Sequence, residues 1–90
     1  MPSISHYEAV RAEIVRLMRD ERLRQKLSKY ELSQRTGVSQ SMLSLVERGQ
    51  RNPTLELMLR VADGMGVDLD VLIKKARMGT IKKTAKRGQH

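Results

Sequence analysis

The sequence predicts an all-α domain of five helices followed by a basic C-terminal tail. Three observations carry that expectation. Phe, Trp and Cys are absent, so the core must be assembled from Leu, Ile, Val, Met and Ala, which suits packed helices better than a sheet. Apolar residues recur three and four apart along most of the chain, the spacing of a helix face. Helix-start signals also alternate with glycine stops, as they do in a chain of short helices. Ninety residues leave room for one modest core. The expected organisation is a lead-in over residues 1–5, a helical domain over 6–76 and a flexible basic tail over 77–90.

Ser5 and Glu8 have the spacing of a capping box. No Pro or Gly follows until Gly37, so the first helix is expected over about residues 6–25. Val10, Ile14, Leu17, Met18 and Leu23 form its inner face. Lys26 marks the break. Ser28 and Glu31 repeat the capping-box spacing and restart a short second helix at Lys29, which buries Leu32 and ends at Gly37 as a left-handed residue. Val38 anchors the turn, and Ser39 caps a third helix that runs through Arg48 and closes at Gly49. Pro53 disfavours helix at Asn52, so residues 50–53 read as a loop. Thr54 caps the fourth helix, with Leu55, Met58, Leu59, Ala62 and Met65 inward and Gly66 as its stop. Gly64 inside that helix costs about 1 kcal/mol against alanine. Asp68 caps a fifth helix through Leu69, Leu72 and Ile73 to about Ala76.

Residues 27–52 organise the rest. The third helix turns Leu43 and Val46 inward and Gln40, Ser41, Ser44 and Leu45 outward, a small uncharged face rich in hydrogen-bonding groups. The net charge of +8 does not come from this region. All ten acidic residues lie at or before Asp70, where eleven bases oppose them for a net of +1. Seven bases follow without an acid: Lys74, Lys75, Arg77, Lys82, Lys83, Lys86 and Arg87. The tail is thus a polyanion-seeking arm, and charge alone says little about the folded part.

Several chemistries lack their parts. With no cysteine and only His6 and His90, no metal site is expected, and no nucleophile–base pair can be assembled. No enzyme activity and no cofactor are therefore expected. No apolar run is long enough to span a bilayer and no signal-peptide pattern begins the chain, so the expected setting is cytoplasmic.

The chain resembles the Cro/phage-repressor (XRE) helix-turn-helix family over about residues 14–73. The resemblance rests on Met18-Arg19-Asp20-Glu21-Arg22-Leu23, Leu27-Ser28-x-x-Glu31-Leu32, Gly37-Val38-Ser39, Leu43-x-x-Val46-Glu47-Arg48-Gly49 and Arg51-Asn52-Pro53-x-Leu55. Each piece is weak alone; five in order are specific. The resemblance implies a lambda-repressor-like domain that binds double-stranded DNA, most often as a homodimeric repressor on a palindromic operator. It makes the third helix the recognition helix. Gln40 then has the amide that bonds adenine N6 and N7 together, Ser41 and Ser44 bond with little base preference, and Leu45 meets a thymine methyl. Leu45 departs from the family, which is polar there. The resemblance further places Ser28, Lys29, Ser39, Arg51 and Asn52 against phosphates, and Arg22 with Glu47 in a structural ion pair. Lys26 stands where the family often has glycine, so the first helix is expected to end less abruptly.

Leu57 and Val71 are apolar where the family is polar, and with Leu72 they are the expected dimer interface. Two other readings compete. An antitoxin of this size would repress its own operon and bind a toxin protein. A protein-interaction adaptor would keep the fold without touching DNA, but its third helix would be acidic outside, and no acid precedes Glu47 there.

Overall fold

The computed structural model describes the backbone of residues 4–88 and the side chains of residues 5–80. Five helices follow one another: α1 (Ile4–Arg24), α2 (Lys29–Thr36), α3 (Gln40–Glu47), α4 (Leu55–Met65) and α5 (Leu69–Gly88). No strand occurs among the described residues. The core is contiguous, drawing Ile14 and Met18 from α1, Leu32 from α2, Leu43 from α3, Val61, Ala62 and Met65 from α4, and Leu69, Leu72 and Ala76 from α5. The two long helices α1 and α5 pack along each other, and α2 lies between α3 and α4.

The local signals explain most boundaries. Ser28 caps α2 through a complete capping box: its hydroxyl accepts from the Glu31 amide at 3.0 Å, and its own amide donates to Glu31 Oε1 at 2.9 Å. Ser39 and Thr54 cap α3 and α4 by accepting from the amides of Met42 and Leu57. Gly37 takes the left-handed conformation, φ 76°, that a two-residue step from α2 into Ser39 requires.

The end of α1 differs from expectation. Lys26 is left-handed, φ 58°. Its amide donates to the Leu23 carbonyl and that of Leu27 to the Arg22 carbonyl, both at 3.0 Å. This is the Schellman pattern that glycine usually makes. The helix therefore stops as sharply as it would with glycine, and Lys26 bears the steric cost. At the other end α1 begins at Ile4, so Ser5 sits inside the first turn rather than at the cap. Of the lead-in over residues 1–5, residues 1–3 lie outside the described residues.

Three further expectations are corrected. Leu55 and Leu59 point outward, 61% and 44% exposed, while Leu57, Met58, Val61, Ala62 and Met65 face the core. The helix is apolar on more than one side, so two stripes satisfy helical spacing, and the one that meets α2 and α5 wins. Leu57 thus packs on the core, and Leu72, at 7% exposed, is part of it. Leu72 is thus taken up within the monomer and Leu57 in part; of the three expected interface residues Val71, 45% exposed, is the most accessible. Leu23, placed on the inner face of α1, is also exposed.

The last correction concerns the tail. Helix α5 does not end near Ala76 but continues to Gly88. No proline follows Pro53, and Lys, Ala, Arg and Met are good helix formers. Ala76 is fully buried, and the Thr80 hydroxyl bonds back to the Ala76 carbonyl at 3.0 Å. Of the tail's bases, Lys82, Lys83, Lys86 and Arg87 lie beyond the described side chains, and residues 89–90 lie outside the described residues.

Candidate nucleic-acid interface

On a helix of 3.6 residues per turn, Gln40, Ser41, Ser44 and Leu45 occupy an arc of about 140°. Gln40 and Ser41 are exposed at the start of α3, whereas Ser44 and Leu45 are half-buried further along. Leu43 and Val46, on the opposite arc, are buried. Met42 is half-buried against the core and belongs to packing. The outer face of α3 is therefore most accessible at its N-terminal turn.

The angle between α2 and α3 is held from behind by Thr36, a residue the sequence did not single out. Thr36 is buried; its hydroxyl donates to the Leu32 carbonyl at 2.8 Å and accepts from the Val38 amide at 3.1 Å. One side chain thus satisfies the amide that the turn frees. Arg60 Nη1 bonds the Thr36 carbonyl at 3.3 Å, and Arg35 Nη1 bonds the Gly64 carbonyl at 3.2 Å. Between them, Gly64 lets α4 approach α2: a Cβ there would lie 2.5 Å from Thr36 Cγ2. The glycine that costs α4 helix propensity is the condition of this packing.

At the first turn of α2, the capping box uses the Ser28 amide and the Glu31 amide. The amides of Lys29 and Tyr30 have no helical partner. An anion therefore meets two amides and the half-buried Lys29. Glu31 works against it. Its carboxyl is held below the ordinary range by the Ser28 amide, then the Ser28 hydroxyl, with a smaller contribution from Arg35. Ser39 likewise uses its oxygen for the Met42 amide and retains its proton.

Arg22 and Glu47 form a bidentate pair at 2.8 and 2.9 Å with side chains 9% and 12% exposed. Arg22 Nη1 also donates to the Leu27 carbonyl at 2.8 Å. This ties α1 and the α1–α2 loop to the end of α3. It also neutralises the single acid on α3, which would otherwise repel a phosphate backbone.

Arg51 and Asn52 are exposed on the loop after α3. They line a cleft of about 300 Å³ between that loop and α1, which Arg11, Arg19 and Arg48 also line. The sequence reading missed the α1 arginines. Arg11, Val15 and Arg19 recur every four residues, a stripe of one helix face, but nothing in the sequence says that this stripe faces the loop. Among the described residues, no group of His, Asp or Glu is placed to hold a metal, and no helix is long and apolar enough to cross a membrane.

The comparisons agree with this geometry. Residues 18–72 match the family model described as helix-turn-helix. No match was found among curated proteins or among solved structures. The matched span begins at Met18 in α1 and ends at Leu72 in α5, enclosing the α2–α3 pair, and the chain belongs to the XRE/Cro-like helix-turn-helix family of DNA-binding transcription regulators.

Proposed function

We propose that this protein is a sequence-specific repressor that places α3 in the DNA major groove, as a homodimer on a palindromic operator. The observation that carries the reading is the outer face of α3: capped, uncharged, and bearing exposed Gln40 and Ser41 at the turn that enters a groove first. Gln40 reads adenine through paired bonds to N6 and N7, Ser41 and Ser44 add tolerant hydrogen bonds, and Leu45 covers a thymine methyl. Ser28, Lys29, Ser39, Arg51 and Asn52 hold phosphates and set the register. The half-buried position of Leu45 limits its reach, so it is the weakest of the four base contacts.

Dimerisation draws support from the exposed apolar side chains of α5. Val71 and Met78 are both about half exposed, and Met78 borders a hollow lined by Ile73 with Asp70, Lys74 and Arg77 around it. This replaces an interface centred on Leu57 and Leu72.

The test separates base reading from phosphate holding. Gln40→Ala is expected to weaken binding to the preferred duplex by about 10- to 100-fold and leave non-specific binding unchanged. Arg51→Ala is expected to weaken binding to every duplex and lower the salt slope by about 1. If both variants weaken all sequences equally, α3 is not the reading element.

A further inference from the structure

We infer that the arginine-walled cleft between α1 and the α3–α4 loop is a phosphate clamp, with Arg11 and Arg19 gripping the DNA backbone beyond the base pairs that α3 reads. The inference rests on the DNA-binding reading above and extends the contact surface onto α1, outside the α2–α3 pair.

The charge in this cleft is unbalanced. Arg11, Arg19, Arg48 and Arg51 line a space of about 300 Å³, with Arg48 Nε also donating to the Ser44 carbonyl at 3.3 Å. The single acid among its lining residues, Glu47, is engaged by Arg22 in two hydrogen bonds. Arg16 also borders the cleft but is paired with Glu13 and Asp20. Arg11, Arg19 and Arg51 form no ion pair among the described residues. Guanidinium groups lining one wall repel one another, and concave walls focus their field. Such an arrangement gains nothing for the fold and is relieved by an anion. Forked guanidinium donors fit a phosphate in particular.

Position identifies which phosphate. Arg48 is the C-terminal cap of α3, and Arg51 follows on the next loop. Eight residues of helix span about 12 Å, so with the first turn of α3 on the bases, the cleft meets the backbone beyond them, on the side of the α3–α4 loop. The nearly neutral charge of the first seventy residues conceals this cluster, because the acids that offset it in the total are spread over the rest of the domain, and Glu13, Asp20, Glu21, Glu47 and Glu56 pair with other arginines.

The experiment scans single neutral methylphosphonate substitutions along a duplex that wild-type protein binds, and repeats the scan with an Arg11→Gln/Arg19→Gln variant. Both substitutions are on α1 in hydrogen-bonding, helix-compatible form, and thermal melting checks the fold. The expected result is one or two phosphates on the loop side whose neutralisation weakens wild type several-fold but leaves the variant unaffected. The variant's salt slope is also expected to be shallower by about 1 to 2, with its base preference unchanged. Penalties that remain identical in the variant at every position overturn the clamp. So does a cleft that serves a free ligand instead: pyrophosphate alone raising the melting temperature of wild type but not of the variant, with no coupled DNA phosphate. Failure of wild type to bind any duplex refutes the DNA-binding reading itself, and is distinguishable from failure of the clamp.

Discussion

Replacing Gly64 by alanine sets helix propensity against packing. In an exposed helix interior the change gains about 1 kcal/mol. Here the new Cβ would lie 2.5 Å from Thr36 Cγ2, 3.4 Å from Leu32 Cδ1 and 3.6 Å from Arg35 Cβ. Carbon atoms rest at about 3.5–4.0 Å, so only the Thr36 methyl is in real conflict. Thr36 cannot turn aside, because its hydroxyl is fixed between the Leu32 carbonyl and the Val38 amide and rotation would strand a buried amide at about 1–3 kcal/mol. Helices α2 and α4 must therefore separate, and overpacking of this kind costs about 1–3 kcal/mol. Gly64→Ala is expected to destabilise by up to about 2 kcal/mol net. Thr36→Ser removes the methyl and keeps the hydroxyl, so in that background Gly64→Ala should be neutral or stabilising by up to about 1 kcal/mol. Urea denaturation of the four proteins measures the cycle. Equal effects of Gly64→Ala in both backgrounds would refute the reasoning. The seam matters for function because the same threonine sets the turn that aims α3.

Glu47→Gln leaves the Arg22 charge largely buried without its counter-ion and is expected to cost about 3 kcal/mol; an unchanged melting temperature would contradict the structural role of the pair. Lys26→Gly relieves a left-handed lysine, worth roughly 1–2 kcal/mol, less the backbone entropy of glycine at about 0.5–1 kcal/mol. Stability should therefore rise by a net of up to about 1.5 kcal/mol, read as a higher urea midpoint at constant slope, and a fall would show that the lysine side chain does more than fill the position. The Glu21 carboxyl is held below the ordinary range, first by the Arg24 guanidinium, then by the Gln25 amide, with Lys75 assisting, and that of Glu31 by the Ser28 cap. For such depressed groups the stabilisation is complete above the unfolded value of about 4.3 and is lost as pH falls through the lower folded values. Melting temperature should be level down to about pH 5 and decline below it. The decline should be shallower in Glu21→Gln/Glu31→Gln, and superimposable acid limbs would remove these two groups from the account.

Local signals were legible where a side chain acts on its own neighbourhood. Ser28 with Glu31, Ser39, Thr54, Gly37 and Gly66 marked the starts and stops of helices because caps and left-handed turns are decided within a few residues. The polar arc of Gln40, Ser41 and Ser44 was legible for the same reason, since it follows from the pitch of one helix. What was not legible depends on which neighbour a face meets. Helix α4 offers more than one apolar stripe, and only contact with α2 and α5 turns Leu55 and Leu59 outward and Leu57 inward. Leu72 reads equally as core or interface until α5 is laid on α1. The continuation of α5 past Ala76 reflects helix-forming residues in a segment whose charge favoured reading it as a tail. The cleft of Arg11, Arg19, Arg48 and Arg51 joins residues far apart in sequence, and total charge averaged it away.

Selection of binding sites from random duplex DNA tests the DNA-reading role of α3 most directly. Wild-type protein is expected to enrich inverted half-sites whose centres lie about one helical turn, roughly 10 base pairs, apart, each with an adenine at a fixed position. A Gln40→Ala variant should lose the preference for that adenine and retain the spacing. Recovery of no preferred sequence, or of the same sequence after Gln40, Ser41 and Ser44 are all replaced by alanine, would contradict it.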